Sequence, residues 1–181
     1  MKIFFQIIII FLVVTFSACY MATNNQPNLS LISSTMKITS PSFDNGQKIP
    51  AKFTCDGENI NPALNITNVP ENARSLVLIV DDPDAPMGTW THWTLWNITP
   101  ASQIDIAENS QPNEAIAGNT SSGQAGYDGP CPPNGTHHYY FKIYALDDVL
   151  NLSANANVEQ LVSTMNDHII DYAELIGIYT R

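Results

Sequence analysis

Three stretches of this chain carry side chains that can hold a small charged ligand or move a proton. The first is Asp81-Asp82-Pro83-Asp84-Ala85-Pro86. Three carboxylates within four positions repel one another if all are buried and ionised, so backbone N–H groups, a cation or imidazolium rings must offset them. The two prolines fix the backbone that aims them. The second stretch is Trp90-Thr91-His92-Trp93, which sets an imidazole between two indoles. The third runs from Gly126 to Tyr139 and contains Gly129-Pro130-Cys131-Pro132-Pro133 followed by His137-His138-Tyr139. Its Gly and Pro residues predict a stiff loop whose backbone N–H groups could form an anion-binding nest. His137 and Tyr139 are two apart, so on a strand they share one face. Taken singly, the three stretches also read as an acidic turn, a hydrogen-bonded structural His and a loop with aromatic packing.

The elements that must position them are mostly strands. Arg74–Val80 is a compact apolar run whose length and branched residues predict a strand buried on both faces. Trp93–Ile98, Tyr139–Leu146 and Leu175–Thr180 are rich in aromatic and β-branched residues and read the same way. One helix is predicted where Val158, Leu161, Val162, Met165 and Ile169 recur at helical spacing. Asn157 is placed to cap it, with Gln160 completing a capping box. A second, shorter helix is expected over Gln103–Asn109. Many strands and a late, peripheral helix favour two packed antiparallel sheets over a βαβ winding.

The N-terminus has the layout of a secretory signal. Lys2 precedes the apolar run Ile3–Val14, which is shorter than the roughly 20 residues a membrane span needs. Phe16-Ser17-Ala18-Cys19 resembles a bacterial lipobox, with a signal peptide over 1–18 and acylation of Cys19. Tyr20–Thr35 is polar and reads as a flexible tether over 19–35, leaving a single domain over 36–181. These features predict export across the inner membrane and a lipid-anchored protein at the periplasmic or cell-envelope face. Tyr20, rather than Asp, after the cysteine resembles outer-membrane sorting.

The whole chain carries 17 acidic against 7 basic residues. That balance excludes the basic face that nucleic acid requires, and it excludes a polybasic membrane patch. With Cys19 acylated, Cys55 and Cys131 are the two remaining cysteines. In an oxidising compartment they predict a disulfide. Such a bridge would close a loop of about 75 residues and stabilise by roughly 4 kcal/mol. Two separate buried thiols, or Cys55 as a nucleophile, are the other readings.

The order Asp-Pro-Asp-Ala-Pro, Trp-x-His, Gly-Tyr-x-Gly-Pro-x-Pro-Pro and His-x-Tyr resembles the phosphatidylethanolamine-binding protein family. The nearest branch is the bacterial Raf-kinase-inhibitor-like, or YbhB/YbcL-like, group. Phe53–Asn59 and Ala173–Gly177 also look like that branch. The resemblance implies a large central antiparallel sheet packed on a smaller one, with peripheral helices. It also implies a ligand pocket made by Asp82, Asp84, Pro86, Trp90, His92, Gly129, Pro130, His137 and Tyr139. His138 stands where many relatives have Arg.

The function this implies is non-catalytic binding of a small anionic or phosphorylated ligand, with no cofactor. No Gly-x-Ser-x-Gly elbow, Walker loop, Rossmann fingerprint or His-Glu-x-x-His occurs. Two other functions are open from the residues. Asp82, Asp84, His92 and His137 could hold a divalent cation for phosphoester hydrolysis. Surface loops could inhibit a protease or kinase.

Overall fold

The computed structural model describes residues 34–181, which form two sheets and one α-helix. The expected signal peptide, the expected acylation site Cys19 and nearly all of the expected tether lie outside the described residues. At the tether's end, the Thr35 and Met36 backbone N–H groups donate to the Asp171 carboxylate.

The small sheet has three antiparallel strands in the order β1 (Lys37–Thr39), β3 (Leu64–Thr67), β6 (Gln103–Ile106). The large sheet has six. Their order is β2 (Gln47–Lys48), β9 (Ile169–Thr180), β8 (Thr136–Leu146), β4 (Ser75–Asp82), β5 (Trp90–Ile98), β7 (Ile116–Ala117). Among the described residues, only the β2–β9 pairing is parallel.

The main core lies between the sheets. Ile38, Leu64, Ile66 and Ile106 from the small sheet meet Leu78, Val80, Leu95, Phe141 and Ile143 from the large one. On the other face of the large sheet, Val77, Ile79, Trp96 and Tyr144 pack against Leu161 and Met165 of the helix α1 (Val158–Met165). This two-sided covering explains the unbroken apolar run of β4, whose every residue is buried.

Two expectations need correction. Gln103–Asn109 is not helical. Its first four residues form β6, with Ile104 and Ile106 paired to Ile66 and Leu64 and the polar Gln103 and Asp105 between them. The apolar period there is two, and the adjacent strand supplies the hydrogen bonds that a short helix would have to make for itself. The late helix is also shorter than its apolar spacing suggests. It ends at Met165, a 3-10 turn covers Asn166–His168, and Ile169 opens β9 opposite Leu146. The β-branched pair Ile169-Ile170 thus joins the ladder rather than the helix.

At the start of α1 the Asn157 side chain accepts from the Gln160 N–H at 3.0 Å, and the Gln160 side chain accepts from the Asn157 N–H at 3.0 Å. Replacing Asn157 by Ala removes this reciprocal cap. The expected result is a loss of about 1 kcal/mol, read as a lower urea midpoint at unchanged slope.

Candidate functional site

The three chemistry-bearing stretches meet at one end of the large sheet. Each of their strands runs further toward that end than its apolar pattern shows. Asp81 and Asp82 are the last residues of β4, Trp90–His92 open β5, and Thr136–His138 open β8. The polar residues therefore continue the ladders rather than hang from turns.

The register then decides which side chains meet. Val80 pairs with Trp93, but the next residue, Asp81, pairs with Thr91. His92 is left as the extra residue of a β-bulge. Such a bulge breaks the strict alternation and re-aims a side chain. The His92 ring consequently packs edge-on against Tyr139, with centroids 5.2 Å apart. On β8, His137 and Tyr139 follow the same alternation as the core residue Phe141.

The acidic stretch resolves its own repulsion by divergence. Asp82 turns inward, where its carboxylate accepts from His137 Nδ1 at 2.7 Å and from the Asp84 N–H at 2.8 Å. Asp81 takes the opposite face of β4 and accepts from Lys142 Nζ at 2.8 Å. Burial raises the Asp81 pKa above the usual carboxylate value, and the Lys142 cation works against that rise. Asp84 points outward and accepts from both the backbone N–H and the Nδ1 of His138. That side-chain bond lowers the Asp84 pKa. Its side chain is 42% exposed, against 4% for Asp82. Asp82 alone of the three reaches the site.

Both site imidazoles carry a proton on Nδ1. His92 Nδ1 lies 2.6 Å from the Asp128 carbonyl oxygen, which can only accept, so Nδ1 carries the proton. His137 Nδ1 donates to the Asp82 carboxylate in the same way. Burial lowers the His92 pKa, partly offset by the Asp128 carbonyl and the nearby carboxylates, so the ring is neutral at pH 7.

The cavity has a volume of about 330 Å³. Asp82, His92, His137 and Asp128 form its polar part, while Ala85, Pro86, Met87, Trp90, Pro132 and Pro133 give it an apolar mouth. Gly129 and Cys131 complete the wall. Pro130 is buried, and its carbonyl accepts from the Cys55 N–H at 3.1 Å. Tyr139 is fully buried beside His92, and its hydroxyl has no hydrogen-bond partner among the described residues. Burial and the charge of Asp82 raise its pKa, so the phenol stays protonated.

Two N–H groups of the glycine- and proline-rich loop, where a nest is expected, are spent within the protein. The Asp128 N–H donates to the His92 carbonyl at 2.8 Å, and the Gly129 N–H donates to Asn59 Oδ1 at 2.8 Å. Prolines 130, 132 and 133 have no N–H to offer. These bonds fasten the loop instead of a ligand. A Cβ at Gly129 would stand 2.5 Å from Asn59 Oδ1 and 2.6 Å from the Phe53 carbonyl, so only glycine fits. The Tyr127 hydroxyl donates to that same carbonyl, and Cys131 is disulfide-bonded to Cys55. Asp128, Asn59, Met87, Pro132 and Pro133 thus join the site or brace it. The loop's composition placed Asp128 near the site, but no local signal marks Asn59 or Met87.

A two-sheet β fold with an Asp-braced pair of imidazoles at one sheet end defines the class, and comparison with known proteins agrees. The family model for phosphatidylethanolamine-binding protein matches residues 39–180, and the chain belongs to that family. A UPF0098 protein of Pyrococcus horikoshii is 50% identical over 146 residues, which cover 77% of this chain and 74% of that protein. A UPF0098 protein of Chlamydia trachomatis is 44% identical over 151 residues, covering 81% and 99%. Among solved structures, a chain from Chlamydia trachomatis described as a homologue of phosphatidylethanolamine-binding protein superposes with a TM-score of 0.76 at 44% identity. It covers 82% of this chain and 99% of its own. YbcL of E. coli, described as a new member of the mammalian family, gives 0.75 at 29% identity, covering 81% and 98%.

Proposed function

We propose that this protein is a non-catalytic binding module that holds a small anionic or phosphorylated group in the cavity. We further propose that it is exported and anchored by lipid at Cys19, with the tether carrying the domain at the cell-envelope face. One observation carries the binding reading: two buried imidazoles, each held through Nδ1, line a cavity large enough for a head group. Ordering both rings in advance reduces the cost of binding. Asp128, on the same wall, could receive an ammonium group carried by the ligand.

The reading as a binder rather than an enzyme rests on the lining. No serine, threonine or free thiol lies among the described residues of the cavity wall, so no hydroxyl or thiol nucleophile of those residues faces a ligand. Nor do any three His, Cys, Asp or Glu among the described residues converge as a metal site.

Calorimetric titration with phosphoethanolamine tests this. One ligand should bind per chain, and His92→Ala should weaken binding at least tenfold, as expected when one hydrogen bond to a charged group is lost. Release of inorganic phosphate during the titration would replace the binding reading with hydrolysis.

A further inference from the structure

The Cys55–Cys131 bridge joins two sulfurs in unlike surroundings. Both cysteines are exposed, so the bridge lies at the surface of the folded protein. The Arg181 guanidinium donates to Cys131 Sγ at 3.4 Å. That guanidinium is held in place. Its Nε pairs with Asp56 Oδ2 at 3.3 Å, and the same carboxylate oxygen accepts from the Tyr179 hydroxyl at 2.8 Å. The Arg181 backbone exchanges two hydrogen bonds with Gly135, at 2.9 and 3.2 Å. Among the described residues, no side chain donates to Cys55 Sγ, and the residue that follows Cys55 is the carboxylate Asp56. A cationic donor favours a thiolate, and a neighbouring carboxylate disfavours one. Thiol–disulfide exchange expels the sulfur that better carries negative charge, which makes Cys131 the leaving group of this pair.

We infer that Cys55 is a site of covalent modification by a small thiol, with Cys131 as the thiolate released. The attacking thiolate gives an electron pair to Cys55 Sγ. The bond between the two cysteines breaks, and its electron pair leaves on Cys131 Sγ beside Arg181. The incoming sulfur is oxidised to the mixed disulfide and Cys131 is reduced, so the exchange needs no other oxidant or reductant. Three contacts still join the two segments once the bridge opens: the Gly129 N–H to Asn59, the Cys55 N–H to Pro130, and the Tyr127 hydroxyl to Phe53. They keep Cys131 near Cys55, where its thiolate can attack the mixed disulfide and expel the small thiol again. The modification is therefore reversible, and its extent follows the thiol concentration. Cys131 also lines the cavity, so the exchange turns a neutral sulfur of that wall into an anionic one.

Mercaptoethanol is a suitable probe because it is small and carries no charge before it ionises to attack. The folded protein is mixed with it, exchange is stopped at early times with N-ethylmaleimide, and the cysteine peptides are mapped by mass spectrometry. The expected early product carries mercaptoethanol on Cys55 and maleimide on Cys131, in roughly fivefold excess over the reverse arrangement. Arg181→Gln should slow the exchange and remove the preference, while Arg181→Lys should retain much of both. A variant that merely loosened the C-terminus would exchange faster, not slower. Equal labelling of the two cysteines, or mercaptoethanol mainly on Cys131, overturns the inference. So does an exchange that occurs only at urea concentrations that unfold the protein, or a preference that persists unchanged in Arg181→Gln.

Discussion

Replacing Asp82 by Ala lowers the unfolding free energy by about 3 kcal/mol and weakens ligand binding by tenfold or more. The stability term follows from what the carboxylate holds. It is almost wholly buried and accepts from both His137 Nδ1 and the Asp84 N–H. Removing one partner of a buried charge-assisted contact leaves the other donor without an acceptor, which costs about 3–5 kcal/mol when the pair is fully sealed. His137 is nearly as buried as Asp82, and the adjoining turn can still reach solvent, which puts the value at the lower end. The binding loss arises because a His137 ring without its acceptor no longer keeps its orientation at the cavity wall. Asp82→Asn should fall between the two. Its single carbonyl oxygen must serve both donors, while its amide adds a donor that neither needs. Urea unfolding and phosphoethanolamine titration on the same preparations check both effects. Equal stability of Asp82→Ala and the parent protein would show that His137 is positioned by its neighbours and not by the carboxylate.

Removal of the Cys55–Cys131 bridge in a Cys55→Ser, Cys131→Ser double variant should lower stability by about 4 kcal/mol. The bridged residues are 76 apart in sequence, and a loop of that size restricts the unfolded chain by about this amount. The bridge also ties the cavity loop to the segment Ala51–Asn59. Three further contacts join the same two segments: the Gly129 N–H to Asn59, the Cys55 N–H to Pro130, and the Tyr127 hydroxyl to Phe53. The native loop should therefore keep its position in the double variant, and ligand affinity at low temperature should change far less than stability. Unfolding with and without reductant separates the two effects. The parent should lose its advantage in reductant, and the double variant should be indifferent to it. A difference below 1 kcal/mol would mean that the unfolded chain is already compact around this pair.

Much of the framework can be read from residue pattern because local rules encode it. The all-apolar run of β4 implies covering on both faces, and the sheet and helix provide it. The Asn157–Gln160 cap depends on two side chains three residues apart and needs no tertiary context. Gln103–Asn109 shows where such rules fail. That stretch is short, and the partner strand β3 decided its state.

The site divides along the same line. Residue types and spacing mark a cluster of carboxylates and imidazoles around strand ends, and the choice of Asp82, His92 and His137 within it is what the family resemblance implies. They also group Asp81, Asp82 and Asp84 together, and only the tertiary structure sends them to Lys142, His137 and His138 in three directions. The bulge that swings His92 onto the face of Tyr139 is a property of the β4–β5 register, not of either strand alone. Likewise, the glycine- and proline-rich loop has the composition of an anion nest. Its Asp128 and Gly129 N–H groups are consumed by His92 and Asn59, residues distant in sequence. Composition sets which donors and acceptors a chain possesses. Which of them remain unspent in a cavity depends on long-range pairing, and that pairing exists only once the two sheets and the loop have packed together.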